Sequence, residues 1–246
     1  GCPNLTTLNL SHCNRITYVT VYKALKTNSA LQTLNLYDIA MKGAYNFDPD
    51  GTKHVAAILK ENKALTSLNL ASNDIGPEGA KHLSEALKTN KTLTLLDLQE
   101  HDIGSFGAKY LSEALKTNSA LKELLLRGNS ITAKGAKHLS EVLNINLTLQ
   151  ILDLRFNILG SEGMKSLSNT LKTNSTLKKL LLSSSLITPE GAKHLSEVLI
   201  TNSSLHTLDL KGNNLGPNGA KHLATGLKEN KALTSLELLN TGIDAE

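Results

Sequence analysis

Three patterns in the 246 residues could carry chemistry. His82-x-x-Glu85 returns as His138/Glu141 and His194/Glu197. An imidazole and a carboxylate one helical turn apart could form an acid–base pair or half a zinc site. Asp48-Pro49-Asp50-Gly51 resembles part of a calcium loop. Cys2 and Cys13 are the two thiols. Each pattern weakens in context. A catalytic site is expected once, whereas a pair that recurs along the chain reads as helix-surface pairing. Two cysteines without a His/Cys cluster at metal spacing read as small buried packing residues and fit a reducing compartment. No phosphate loop, His-Glu-x-x-His or Gly-x-Ser-x-Gly is present. No catalytic residue, metal ligand or cofactor is therefore expected.

The elements that would position such groups come from a repeat. Leu supplies 49 residues and aromatics only 3%, so the core is expected to be aliphatic and of one dominant type. Leu-x-x-Leu-x-Leu begins at Leu5, Leu31, Leu65, Leu93, Leu121, Leu149, Leu177, Leu205 and Leu233, at intervals of 28 residues from Leu65 onward. Leu68-Asn-Leu70 alternates apolar with polar, as a short half-buried strand does. Ala80, Leu83 and Leu87 fall on one helical stripe, with Lys81, Glu85 and Lys88 opposite. Gly76-Pro77-Glu78 and Thr188-Pro189-Glu190 mark helix starts. Asn62, Asn90, Asn118, Asn146, Asn174, Asn202 and Asn230 mark helix ends, where a left-handed Asn is expected. One strand and one helix per unit make successive strands parallel. Strands pack about 4.8 Å apart and helices about 8–10 Å apart, so stacking must bend the array. The expected fold is an α/β solenoid of about nine repeats, a horseshoe with a concave sheet and convex helices.

The Leu-x-x-Leu-x-Leu-x-x-Asn-x-Ile/Leu pattern with a Gly-x-x-x-Leu-x-x-x-Leu helix resembles leucine-rich repeats of the ribonuclease-inhibitor-like class. That class also supplies arrays in nucleotide-binding immune receptors and in Ran GTPase-activating proteins. The resemblance covers essentially the whole chain and implies a scaffold whose activity lies in grafted surfaces. The first unit, Cys2 to Thr17, resembles the cysteine-containing subtype. One domain over 1–246 is expected, with atypical repeats in 1–64 and regular ones in 65–246. Neither end reads as a polar cap, so a longer protein is expected. Aligning Asp48-Pro49-Asp50-Gly51 with Thr188-Pro189-Glu190-Gly191 makes Asp48 a helix N-cap, not a calcium ligand. It leaves an insertion, Lys42 to Phe47, whose Tyr45 and Phe47 either grip a partner or fold back onto the first repeats.

Function is expected in residues that the repeat does not require. The concave columns of the middle repeats place Leu95, Leu125, Ile151, Phe156 and Leu181 where water is expected, with Gln99, Glu100, Glu123, Arg127, Asp153, Arg155 and Lys179 around them. An apolar centre inside a mixed-charge rim has the composition of a protein-binding surface. The helical columns of Lys and Glu read as a solvated face, and the His column as flank packing: copies 8–10 Å apart cannot share a zinc ion that needs ligands within about 2.1 Å. A net charge of +4 is too small and too spread for nucleic acid. No run of about 18 apolar residues reaches membrane-spanning length. Sequons occur at Asn4, Asn90, Asn146, Asn174 and Asn202; the last four are helix-ending asparagines that repetition explains, and secretion is not implied.

The leading expectation is a monomeric, non-enzymatic protein-interaction module in the cytoplasm. The Lys- and Asn-rich, nearly self-copied repeats are similar to arrays in amoebae and in effectors of intracellular bacteria, which would place it in host cytosol. The sensing part of a larger receptor or ubiquitin-ligase subunit is a further reading. The rival from another class is a Ran-type GTPase activator. Its acidic C-terminal tract is absent here, and no Arg can be matched to its functional one.

Overall fold

The computed structural model describes residues 2–13, 15–39 and 51–243. Tyr45, Phe47, the insertion around them and the proposed cap Asp48 lie outside those residues. The described elements alternate strictly. They are β1 (Thr7–Asn9), α1 (Tyr18–Leu25), β2 (Thr33–Asn35), α2 (Gly51–Glu61), β3 (Ser67–Asn69), α3 (Gly76–Leu87), β4 (Leu95–Asp97), α4 (Gly104–Leu115) and β5 (Glu123–Leu125). There follow α5 (Ala133–Leu143), β6 (Ile151–Asp153), α6 (Gly160–Leu171), β7 (Lys179–Leu181), α7 (Pro189–Thr201), β8 (Thr207–Asp209), α8 (Gly216–Glu229) and β9 (Ser235–Glu237). The strands form one sheet in sequence order, each parallel to the next. Register follows the leucines, so that Leu68, Leu96, Leu124, Leu152, Leu180 and Leu208 form one column.

That column is the sheet side of the core. Leu34 through Leu208 are fully buried, each worth roughly 1.5–3 kcal/mol against exposure. Leu8 and Leu236 are only half-buried, because β1 and β9 each have one neighbouring strand among the described residues. The helical side is the expected stripe, with Ala80, Leu83 and Leu87 at 0% exposure. Gly79 opens the stripe because a Cβ there would lie 2.1 Å from Cγ2 of Ile75, the apolar residue that the helix must cross. On the outer face Lys81–Glu78, Lys88–Glu85, Lys116–Glu113 and Lys193–Glu190 pair at 2.6–3.2 Å, exposed pairs that solvent screens and that add little to stability. Of the His-x-x-Glu pairs, His138 approaches Glu141 at 3.7 Å. Glu85 instead pairs with Lys88, and Glu197 reaches Lys172 of the preceding helix at 2.6 Å.

Two expectations need correction. The helix-ending asparagines do not adopt the left-handed conformation. Asn202 and Asn230 have φ/ψ of −78°/126° and −75°/131°, and no member of the series has positive φ. They terminate helices with their side chains. Asn90 Oδ1 accepts the N–H groups of Thr92 and Leu93 at 3.0 and 2.8 Å, while its Nδ2 donates to the Leu59 carbonyl, 2.8 Å away, at the end of the preceding helix. Asn118 repeats this, donating to the carbonyls of Leu87 and Asn90. Orphan carbonyls of one repeat and free N–H groups of the next are thus closed by one buried amide. Asn90, Asn146, Asn174 and Asn202 are at most 8% exposed with their nitrogens engaged, which closes those sequons to modification in the folded chain. The second correction concerns the cysteines. Cys2 is exposed and Cys13 partly so, both as free thiols, because the first repeat lacks the two-sided cover that buries the middle ones.

A second ladder runs through the strand-to-helix turns. Oδ1 of Asn157 accepts the N–H groups of Asn129 and Ile131 at 3.1 and 2.9 Å, and Oδ1 of Asn213 those of Ser185 and Ile187 at 3.0 Å each. In the fourth repeat His101 takes this place at 1% exposure, its Nδ1 accepting from Asn73 and Ile75 at 3.3 and 3.2 Å. An imidazole can do so only with Nδ1 unprotonated.

Candidate functional site

The concave face is built from the outward residues of each three-residue strand and the turn that follows. Register sets an alternation across β4 to β8. One row reads Leu95, Glu123, Ile151, Lys179, Thr207, and the parallel row Asp97, Leu125, Asp153, Leu181, Asp209. Apolar and polar side chains therefore form two interleaved zigzags. Leu95, Leu125 and Ile151 are half-buried, whereas Leu181 keeps only 9% exposure.

The Asp/Asn position has a structural task. Oδ1 of Asn9, Asn35, Asn69, Asp97, Asp153 and Asp209 accepts the backbone N–H two residues on, at 2.9–3.1 Å. This closes the strand end as an Asx turn. Asp153, assigned above to the partner-contacting set, is 1% exposed, and its oxygens accept from Arg155 Nε at 2.9 and 3.1 Å and from Nη2 at 2.6 Å. It holds Arg155 rather than facing outward, because both carboxylate oxygens are consumed internally. That bond keeps the guanidinium protonated above its ordinary range, against the opposing effect of desolvation. Asp97 is 8% exposed. Burial pushes its carboxyl above the ordinary value, and hydrogen bonds from the backbone and side chain of Gln99 pull it back.

Around this centre the charges are mostly matched within the chain. Arg127 Nη1 meets Glu100 at 3.0 Å, Ser72 Oγ donates to the other Glu100 oxygen at 3.0 Å, and Lys211 meets Glu237 at 3.2 Å. Ser183 donates to Asp209 at 2.5 Å. Glu123 and Lys179 have no such side-chain bond or ion pair among the described residues and stand either side of Ile151.

Phe156 stands out by its side chain. Its φ of 55° is shared by a turn column that is left-handed in every described repeat, where the other residues are His12, Asp38, Ser72, Glu100, Ser184, Asn240, Gly128 and Gly212. A bulky residue in the left-handed region costs about 1–2 kcal/mol. The ring is 51% exposed, and the Arg127 guanidinium carbon lies 4.6 Å from its centroid, a cation–π contact. Leu186 repeats the situation with φ of 59° and 60% exposure. Ile158 and Phe106, at 52% and 71% exposure, add apolar surface to this strand-to-helix edge. A reading of the concave columns misses these last three. The available signal was that Ile158 and Leu186 stand where other repeats carry Asp74, Asp102, Ser130 and Asn214.

The surface offers apolar contact, oriented guanidinium groups and two unmatched charges. Among the described residues no group of three or more His, Cys, Asp or Glu could hold a metal ion, and no helix is long and apolar enough to cross a membrane.

Comparison with solved structures finds similar chains. Leiomodin-1 Actin-Binding Site 2 is 23% identical with a TM-score of 0.48, over 52% of this chain and 76% of that one. The tropomodulin C-terminal domain of Caenorhabditis elegans is 14% identical with a TM-score of 0.47, over 74% of this chain and 92% of that one. No curated protein matches in sequence. A family model described as "Leucine Rich repeat" matches residues 1–19, 61–84, 89–112, 117–140, 146–168 and 201–224. With more than half of its length matched and every described strand and helix in repeat register, the chain belongs to the leucine-rich repeat family, of the ribonuclease-inhibitor-like type.

Proposed function

We propose that the chain is a non-enzymatic module that binds a protein partner through the concave face of repeats four to seven. One observation carries this reading: Phe156 is held half-exposed in a strained turn beneath Arg127, beside the apolar zigzag of Leu95, Leu125, Ile151 and Leu181. The other described repeats fill this turn position with His12, Asp38, Ser72, Glu100, Ser184, Asn240 or glycine, so the repeat fold does not require an exposed apolar ring there. Arg127 and Arg155 are pre-oriented by Glu100 and Asp153, so little side-chain entropy remains to be lost on docking. Tyr45 and Phe47 stay in the proposal as a second contact at the insertion.

The test is affinity capture with quantitative mass spectrometry. The intact chain is compared with a variant carrying Arg127→Ala, Arg155→Ala and Phe156→Ala together with Asp153→Asn, the last so that no buried charge is left unpaired. Loss of a partner recovered reproducibly by the intact chain is expected, with the circular dichroism spectrum retained. Unchanged recovery would remove this surface from consideration. Stimulated hydrolysis by a Ran-type GTPase on adding the purified chain would favour the activator reading instead.

A further inference from the structure

The two unmatched charges on the concave face suggest the shape of what it receives. Resting on the concave-face reading above, we propose that the occupant is an amphipathic α-helix lying across the strands, with an apolar side chain between a cation and an anion about two turns apart. Glu123, Ile151 and Lys179 are direct cross-strand neighbours on β5, β6 and β7, so Glu123 and Lys179 stand two strand spacings apart, about 9.6 Å. On a helix, residues i and i+7 lie on one face about 10.5 Å apart, with i+3 and i+4 between them. An extended segment places same-face residues about 6.8 or 13.6 Å apart and misses that span.

The apolar zigzag agrees with this. Leu95, Leu125, Ile151 and Leu181 alternate between the two rows at one strand per step, which is about one helical turn per step. The residues at i+3 and i+4 lean to opposite sides of the helix midline and can meet both rows. Charge complementarity picks the flanks. The other carboxylates in these rows, Asp97, Asp153 and Asp209, are bonded to Gln99, Arg155 and Ser183. Glu123 and Lys179 remain to take a partner's cation and anion.

The probe is a set of stapled, alanine-based helical 18-residue peptides with Leu at i+3 and i+4. Positions i and i+7 carry Lys/Glu, Lys/Lys or Glu/Glu, and a proline-broken Lys/Glu peptide is the control. Binding to the intact chain is read by fluorescence anisotropy. The Lys/Glu peptide is expected to bind about fivefold more tightly than either like-charged one, the effect of one exposed ion pair, and the broken peptide about tenfold more weakly. The protein variant Glu123→Lys should switch preference to Glu/Glu, and Lys179→Glu to Lys/Lys. This pattern does not depend on which way the helix runs. Equal binding of all charge versions, or no binding up to millimolar peptide, overturns the helical occupant. If the partner capture above still responds to the concave substitutions, the concave-face reading survives that failure. If neither experiment responds, both fall.

Discussion

At the residue scale, what each concave side chain can offer is set by what its own chain has already taken. Asp97 illustrates this. It is nearly buried, burial raises its carboxyl above the ordinary value, and its bonds from Gln99 recover part of that cost. A raised folded-state value means that this carboxyl contributes stability below its unfolded value, near 3.8. That contribution is lost as pH rises through the raised value. Asn fills the same position at Asn9, Asn35 and Asn69, where its Oδ1 accepts the same backbone bond. Asp97→Asn is therefore expected to raise the urea midpoint at pH 7, with the advantage vanishing below about pH 3.8. A denaturation series across pH 3–7 checks this. An advantage that does not change with pH would show that charge is not the cause. Asp153 differs because Arg155 lies against it, and removing that arginine alone would leave a buried carboxylate unpaired.

At the element scale, the repeat is held together by buried amides as much as by leucines. From Asn90 onward each helix-ending asparagine joins three successive segments and donates to a carbonyl 31 residues upstream, as between Asn90 and Leu59. Asn118→Ala would leave two N–H groups and two carbonyls unanswered near a dry interior. It is expected to cost about 2–4 kcal/mol, measured by urea unfolding. Lys109→Ala on the exposed face is expected to change stability by less than about 0.5 kcal/mol. The 28-residue spacing made the strands, helices and core columns legible, because periodicity reports which faces are buried. It could not report that these asparagines act through side chains, since a left-handed terminator and a side-chain bridge leave the same letter at the same place. His101 was illegible as a ladder member for the opposite reason. The letter differs, and only its Nδ1 bonds reveal the shared task.

At the scale of the whole molecule, the nine described strands of one parallel sheet put one residue from each repeat into each surface column, so any departure from a column is a candidate for function. This logic picked out Leu95, Leu125, Ile151, Arg127, Arg155 and Phe156 as candidates from the sequence. It did not reach Ile158 and Leu186, because the column two residues beyond Phe156 was not read, and it set Asp153 among the contacts although Arg155 occupies its oxygens. Strain and exposure converge on Phe156, so the proposal makes stability and binding move separately there. Phe156→Gly removes an exposed ring and relieves a left-handed backbone, against the loss of one cation–π contact and the extra freedom of glycine in the unfolded chain. The most direct measurement is paired: urea unfolding of this variant, and its affinity for the partner captured by the intact chain. The account predicts stability unchanged or up to about 1 kcal/mol higher, with affinity at least about tenfold weaker. Affinity equal to that of the intact chain, at equal or greater stability, would contradict it.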